Sequence, residues 1–222
     1  MIAQIGKFNY LITNDEAMVG THLDSKSING SYDCNAYIDK TNTYFNVIIP
    51  ATITYNNKFY LVKKIGSHAF RHSHMSAIKI GRFVEEIGFV ALDYCRQLKT
   101  VEFDKYSSLT TIGASFGVDS LIESIVFPPN LNYISDDLFV TNKVLKYIWF
   151  GGDFISICTS KLSSFPNINI FVLPNFKNTS FCDHYVTIVG EFPADFIPTC
   201  KIYNNYNAFR LSYTHIAVFI LI

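Results

Sequence analysis

Three histidines crowd one short stretch, His68, His72 and His74 in HAFRHSH. Three imidazoles are a conceivable metal donor set. No acid or cysteine stands beside them to complete a coordination shell, and the stretch reads as a turn. The expectation is solvated surface and no metal. Five cysteines (Cys34, Cys95, Cys158, Cys182, Cys200) are odd in number and form no C-x-x-C pair, which argues against a zinc site or a disulfide framework. Cys95 and Cys158 are expected as small buried core residues, which is where free cysteine usually sits. Cys182 and Cys200 are placed to pair if the surroundings are oxidising. Glu85-Glu86 and Asp136-Asp137 are adjacent acids. Neighbours in sequence point different ways, so they do not make the facing carboxylates of a glycosidase. No G-x-S-x-G, G-x-G-x-x-G or P-loop pattern occurs. The chain is therefore read as no enzyme, with no cofactor.

Between Lys40 and Arg82 stand seven Lys or Arg and no acid. Such a run either attracts an anionic partner or forms a solvated face. It lacks the interleaved aromatics of an RNA platform. Net charge is zero and charged residues are 16%, so nucleic acid is not an expected partner. Asn29-Gly30-Ser31 and Asn178-Thr179-Ser180 fit the N-glycosylation pattern, which matters only in a secreted chain.

The elements that position these groups come from a repeat. IGSHAF (Ile65–Phe70) returns as EEIGFVAL (Glu85–Leu92), TTIGASF (Thr110–Phe116), NYISDDLF (Asn132–Phe139) and a worn ISICTSKL (Ile155–Leu162). Each copy is followed by an apolar triplet: Met75/Ile78/Ile80, Leu98/Val101/Phe103, Ile122/Ile125/Phe127, Leu145/Ile148/Phe150 and Ile168/Phe171/Leu173. The copies step by 22, 25, 22 and 23 residues, with a small polar insertion near Lys105 to Ser108. The third copy reads one residue short in its Ala-Phe segment. Ile78-x-Ile80, Val101-x-Phe103 and Ile148-x-Phe150 alternate as half-buried strands do. One strand per copy makes a parallel sheet, and the isoleucine with its Ala-Phe or Leu-Phe pair closes the other side. No copy buries these residues alone; stacked copies do. Gly66, Gly88 and Gly113 follow the isoleucine, where a left-handed or crowded backbone explains glycine.

The middle residue of each triplet points away from the core. These are Lys79, Glu102, Val126, Trp149 and Val172, flanked by Thr100, Ser124, Tyr147 and Ile170. An apolar stripe with the chain's one Trp suits a binding surface. The candidate site is therefore Lys79, Glu102, Val126, Tyr147, Trp149 and Val172, centred on Tyr147 and Trp149. The competing reading has a loop or the C-terminal tail folded over it.

These units resemble BspA-type leucine-rich repeats, with a pattern near I-G-x-x-A-F, a short gap, then L-x-x-I-x-I. VEEIGFVALDYCRQLKTVEF (Val84–Phe103) carries the resemblance, including Cys95 at the inward cysteine position, and VIIPATITYNNKFYLVKKIG extends it toward the N-terminus. The resemblance implies a right-handed α/β-type leucine-rich-repeat solenoid with a parallel concave sheet, a short helical or irregular convex side and no catalytic residues. It also implies a protein or cell-surface recognition role of surface-antigen or adhesin type. The alternative is an intracellular scaffold of the same fold. A monomer is expected, located at the surface by analogy or else in the cytoplasm.

The expected organisation is a β-rich N-terminal cap at 1–61, five repeats at 62–175 and a C-terminal cap at 176–222. Residues 7–23 read as a hairpin around Asn14-Asp15, residues 24–43 as an exposed loop, and 44–54 and 58–64 as strands joined at Tyr55-Asn56-Asn57. YVTIV (Tyr185–Val189) reads as one more strand. The start shows no signal-peptide pattern. IAVFILI (Ile216–Ile222) is far shorter than the ~20 apolar residues that span a bilayer; it is a final strand or the stub of an anchor.

Overall fold

A computed structural model describes residues 1–21, 35–36, 45–165 and 167–191. The loop expected at 24–43, Cys34, Cys200, Asn29-Gly30-Ser31 and the apolar stretch at 216–222 lie wholly or mostly outside them.

The N-terminal strands are β1 (Ile2–Ile5), β2 (Phe8–Thr13), β3 (Glu16–Val19), β4 (Phe45–Ile49), β5 (Thr52–Tyr55) and β6 (Lys58–Ile65). The β2–β3 hairpin turns at Asn14, whose φ is 48°. The β5–β6 turn holds Asn56 and Asn57 at φ 49° and 61°; Asn tolerates this region better than most residues. The sequence reads 44–54 as one strand, but the structure divides it at Pro50. Proline has no N–H to carry a ladder onward, and the two halves join different sheets. β4 pairs in parallel with β7, while β5 turns back antiparallel on β6. β1, paired antiparallel to β2, was not foreseen. Tyr10 is buried on β2, and burial pushes its hydroxyl up to about 12.

From β7 the chain alternates long and short strands: β7 (Met75–Ile80), β8 (Glu86–Ile87), β9 (Thr100–Phe103), β10 (Thr111–Ile112), β11 (Ser124–Phe127), β12 (Tyr133–Ile134), β13 (Tyr147–Phe150), β14 (Ile157–Cys158) and β15 (Asn169–Val172). The odd members form a main face. On it β4-β7-β9 and β11-β13-β15 are each joined in parallel, and β18 (Thr187–Ile188) completes the second group. Between them Leu121 N–H donates to the Leu98 carbonyl at 2.8 Å, and the Phe103 and Phe127 rings lie 6.3 Å apart. The even members extend β6 into a second parallel ladder on the turn side, β6-β8-β10-β12-β14. A last pair, β16 (Ser180–Phe181) and β17 (His184–Tyr185), forms a small hairpin. This is a leucine-rich-repeat fold rich in parallel strands. One 3-10 turn, Leu162–Ser164, is the only helical element among the described residues.

The core runs between the two ladders. Ile65, Ile87, Ile112 and Ile134 are buried and in register along the turn side. Ile78, Ile80, Val101, Phe103, Ile125, Phe127, Ile148 and Phe150 point in from the main face. Phe116, Phe127, Phe139, Phe150 and Phe181 join copy to copy with centroids 5.3–6.3 Å apart, distances at which aromatic pairs attract. Cys95 is buried as expected, its thiol donating to the Phe70 carbonyl at 3.1 Å. Cys158 is not a free core thiol: it is bonded to Cys182.

Crowding, not handedness, explains two of the repeated glycines. A Cβ on Gly88 would lie 2.7 Å from Ser67 N, and one on Gly113 would lie 2.8 Å from the Gly88 carbonyl carbon. The left-handed residues sit three positions after each isoleucine: His68, Val90, Ser115 and Asp137, with φ of 58°, 48°, 61° and 60°. The first three donate N–H groups to Phe89, Ala114 and Asp136 of the next copy at 2.9–3.0 Å. The strain of a non-glycine residue there thus recurs with an inter-copy hydrogen bond. The third copy is not a residue short. Phe116 takes the alanine position and Gly117, φ 69°, the next one, where the Phe139 ring of the following copy comes in.

Candidate functional site

Register on the main face sets one outward row. Ile48 faces Lys79 and Lys79 faces Glu102; in the second group Val126 faces Trp149, Trp149 faces Phe171, and Phe171 faces Thr187. A second row holds Asn46, Ala77 and Thr100, then Ser124, Tyr147 and Asn169. Lys79, Glu102, Val126 and Tyr147 stand on these rows half-buried, as the alternation requires.

Two predicted members do not sit as expected. Val172 is fully buried on the inward side, and so is Ile170; Phe171 takes the outward position. The fifth copy has one residue fewer between its leading apolar residue and its strand. Ile168 is followed by Ile170/Val172, where Leu145 is followed by Ile148/Phe150. A shift of one residue exchanges the faces of a strand. Trp149 lies on the outward row but is only 2% exposed, stacked on Phe171 at 4.2 Å. It does not form an exposed centre of the stripe; it supports Phe171. Tyr147 also stacks on Phe171, at 6.4 Å. Phe171 was missed, and the Ile170/Val172 pair was the available signal.

Three cations of the basic run pair with acids one copy later. Lys63 pairs with Glu85, Lys64 with Glu86 at 2.7 Å, and Arg71 with Asp93 at 2.9 Å. Lys58 pairs with Asp15 at 2.6 Å. The repeat brings residues 22 apart together, so a run of one sign in sequence becomes a mixed surface. Burial pushes the Asp93 carboxyl up from its ordinary value, and the Arg71 hydrogen bond acts against it. Asp183 is held below its ordinary value: what burial it has raises it, but the Ser163 hydroxyl and N–H outweigh that.

His72 and His74 are exposed, but His68 is not solvated. It is buried with its ring edge-on to Phe89 at 5.9 Å, while His72 stacks on Tyr94 at 5.0 Å. Among the described residues no three His, Cys, Asp or Glu gather to hold a metal. Glu85 and Glu86 each serve a separate lysine. The Asn178 side chain accepts from Ile155 N–H at 3.2 Å and donates to its carbonyl at 3.3 Å, so its amide bridges two copies. No helix among the described residues is long and apolar enough to cross a membrane.

Residues 42–186 match the family model for the BspA type Leucine rich repeat region, in six copies. That span extends past 62–175 at both ends and takes in β4 and β16. The fold is similar to a leucine-rich repeat protein from Bacteroides capillosus, with TM-score 0.52 and 22% identity over 67% of this chain and 97% of that one. The pneumococcal vaccine antigen PcpA matches with TM-score 0.48 and 18% identity over 86% of this chain and 50% of that one. A leucine rich cell surface protein from Faecalibacterium prausnitzii matches with TM-score 0.44 and 17% identity, over 85% and 54%. The chain thus spans about half the length of the latter two. No curated protein sequence matches it.

Proposed function

Since this chain belongs to the family of BspA-type leucine-rich repeat regions, we propose that it is a non-catalytic recognition module of surface-antigen type. It binds a protein or cell-surface ligand through the main, concave face. The observation that carries the reading is the outward row itself. Two groups of parallel strands present Lys79 and Glu102 on one and Val126 and Phe171 on the other, with Tyr147 and Trp149 stacked on Phe171. A surface fixed by backbone ladders loses little ordering entropy on binding. Aromatic residues backed by packed neighbours are the type that dominates interface energetics. The Cys158–Cys182 bond favours oxidising surroundings over an intracellular scaffold, because cytosolic thiols are kept reduced.

The test is a panel of purified cell-surface and extracellular-matrix proteins, read by biolayer interferometry with wild type, Tyr147→Ala, Phe171→Ala and Tyr133→Ala. Tyr133 lies on the turn-side ladder and is exposed. The first two substitutions should weaken binding about fivefold or more, the scale of a hot-spot truncation. Tyr133→Ala should leave it unchanged. Loss on Tyr133→Ala with Tyr147→Ala and Phe171→Ala neutral would move recognition off the main face.

A further inference from the structure

We infer that the Cys158–Cys182 disulfide serves as the last turn-side rung of the array, so that the C-terminal end of the main face is complete only under oxidising conditions. Cys158 occupies the isoleucine position of its copy, in register with Ile134. Cys182 follows 24 residues later, one repeat step on. At each earlier junction a backbone bond closes this point: Gly88 N–H to Ile65 C=O at 2.8 Å, Gly113 to Ile87 at 2.8 Å, Ser135 to Ile112 at 3.0 Å and Thr159 to Ile134 at 3.1 Å. Among the described residues the ladder then stops at β14, and the next junction, Cys158 to Cys182, is closed by the sulfur bridge. Its Cα atoms are 4.9 Å apart, the spacing of neighbouring strands in a sheet.

What depends on this rung is specific. Phe181, next to Cys182, is fully buried against Phe127 and Phe150 at 6.0 and 5.3 Å. Among the described residues β16 and β17 pair only with each other, and β18 holds β15 through two register positions. The end segment therefore has few ladder bonds, and local opening is cheapest where such bonds are few. Both sulfur-bearing residues are half-buried, within reach of a small thiol. Cys95 is fully buried and does not compete for exchange. Reduction is an ordinary exchange: two thiols of a small-molecule reductant give two electrons, their sulfurs join as one disulfide, and their protons pass to Cys158 and Cys182. The consequence for binding, through Phe171 and Thr187, rests on the reading of the main face. The structural claim does not.

The experiment is hydrogen exchange by mass spectrometry on the full chain, oxidised and after dithiothreitol, with Cys158→Ser/Cys182→Ser in parallel. Alkylation before and after reduction identifies the bonded pair. The expected result is a Cys158–Cys182 bond whose reduction speeds exchange over 180–189 by about tenfold or more. Residues 62–127 should be unchanged, and the double variant should match the reduced protein without responding to dithiothreitol. Equal exchange in both states overturns the inference. So does an even loss of protection across 62–189, or alkylation of both thiols in the untreated protein. If the double variant does not fold, the reduced wild type alone decides. A failed binding test with this result intact would refute the recognition reading and leave the rung standing.

Discussion

Gly117 gives the sharpest energetic test of how copies interlock. A Cβ at Gly117 would lie 2.6 and 2.8 Å from two ring carbons of Phe139 and 3.5 Å from Ile122 Cδ1, with φ at +69°. Gly117→Ala therefore meets two costs. The left-handed backbone costs alanine about 1–2 kcal/mol. Pressing a methyl into the packed ring costs about 1–3 kcal/mol. Together the expected loss is about 2–5 kcal/mol. Phe139→Ala removes a fully buried ring and should cost about 3–5 kcal/mol. In the double variant the methyl enters space that the ring has vacated, so the overpacking cost disappears while the backbone cost remains. The double variant should thus be more stable than the sum of the singles predicts, by about 1–3 kcal/mol. Urea denaturation reads this through Trp149, the chain's one tryptophan and a buried one, with circular dichroism as the second probe. Additivity within about 0.5 kcal/mol, or a neutral Gly117→Ala, would refute the claim that glycine is there to admit the next copy's ring.

Three further outcomes follow from the same packing. Gly88→Ala should cost about 1–3 kcal/mol, because the clash is with backbone at 2.7 Å, whereas Gly190→Ala, with nothing within 4 Å, should be near neutral in the same melts. Ile134→Ala, at a fully buried rung, should cost about 2–5 kcal/mol by thermal or urea unfolding. Asp93 has its folded pKa raised, first by burial. Its contribution is therefore fully present below the ordinary carboxylate pKa and is lost as pH rises through the raised folded value. The stability of Asp93→Asn should accordingly fall less than wild type across that window, measured by urea melts at matched ionic strength; an identical pH slope would contradict this.

The period was legible because burial itself repeats. Ile65, Ile87, Ile112 and Ile134 recur with alternating strands between them. The places where reading failed are places where a residue count changed without a change of residue type. Ile168, Ile170 and Val172 are all apolar, so the loss of one residue left no polarity signal, and the outward position passed silently from Val172 to Phe171. The left-handed positions were invisible for a related reason. His68, Val90, Ser115 and Asp137 share no side-chain chemistry, and what the first three have in common is an inter-copy backbone hydrogen bond. The disulfide lay outside any motif because its logic is the repeat step. The acids that pair with Lys63, Lys64 and Arg71 stand one copy away in sequence and adjacent in space, so local sequence did not show the mixed surface they make.

The central claim is that recognition uses the main face, and photo-crosslinking tests it most directly. A benzophenone amino acid is placed at Glu102, Ser124 or Thr187 on that face, and at Thr111 or Ser156 on the turn side, with the partner identified by the binding panel present. The account predicts crosslinks from the first three positions and none from the other two. Crosslinks from Thr111 and Ser156 alone would contradict it.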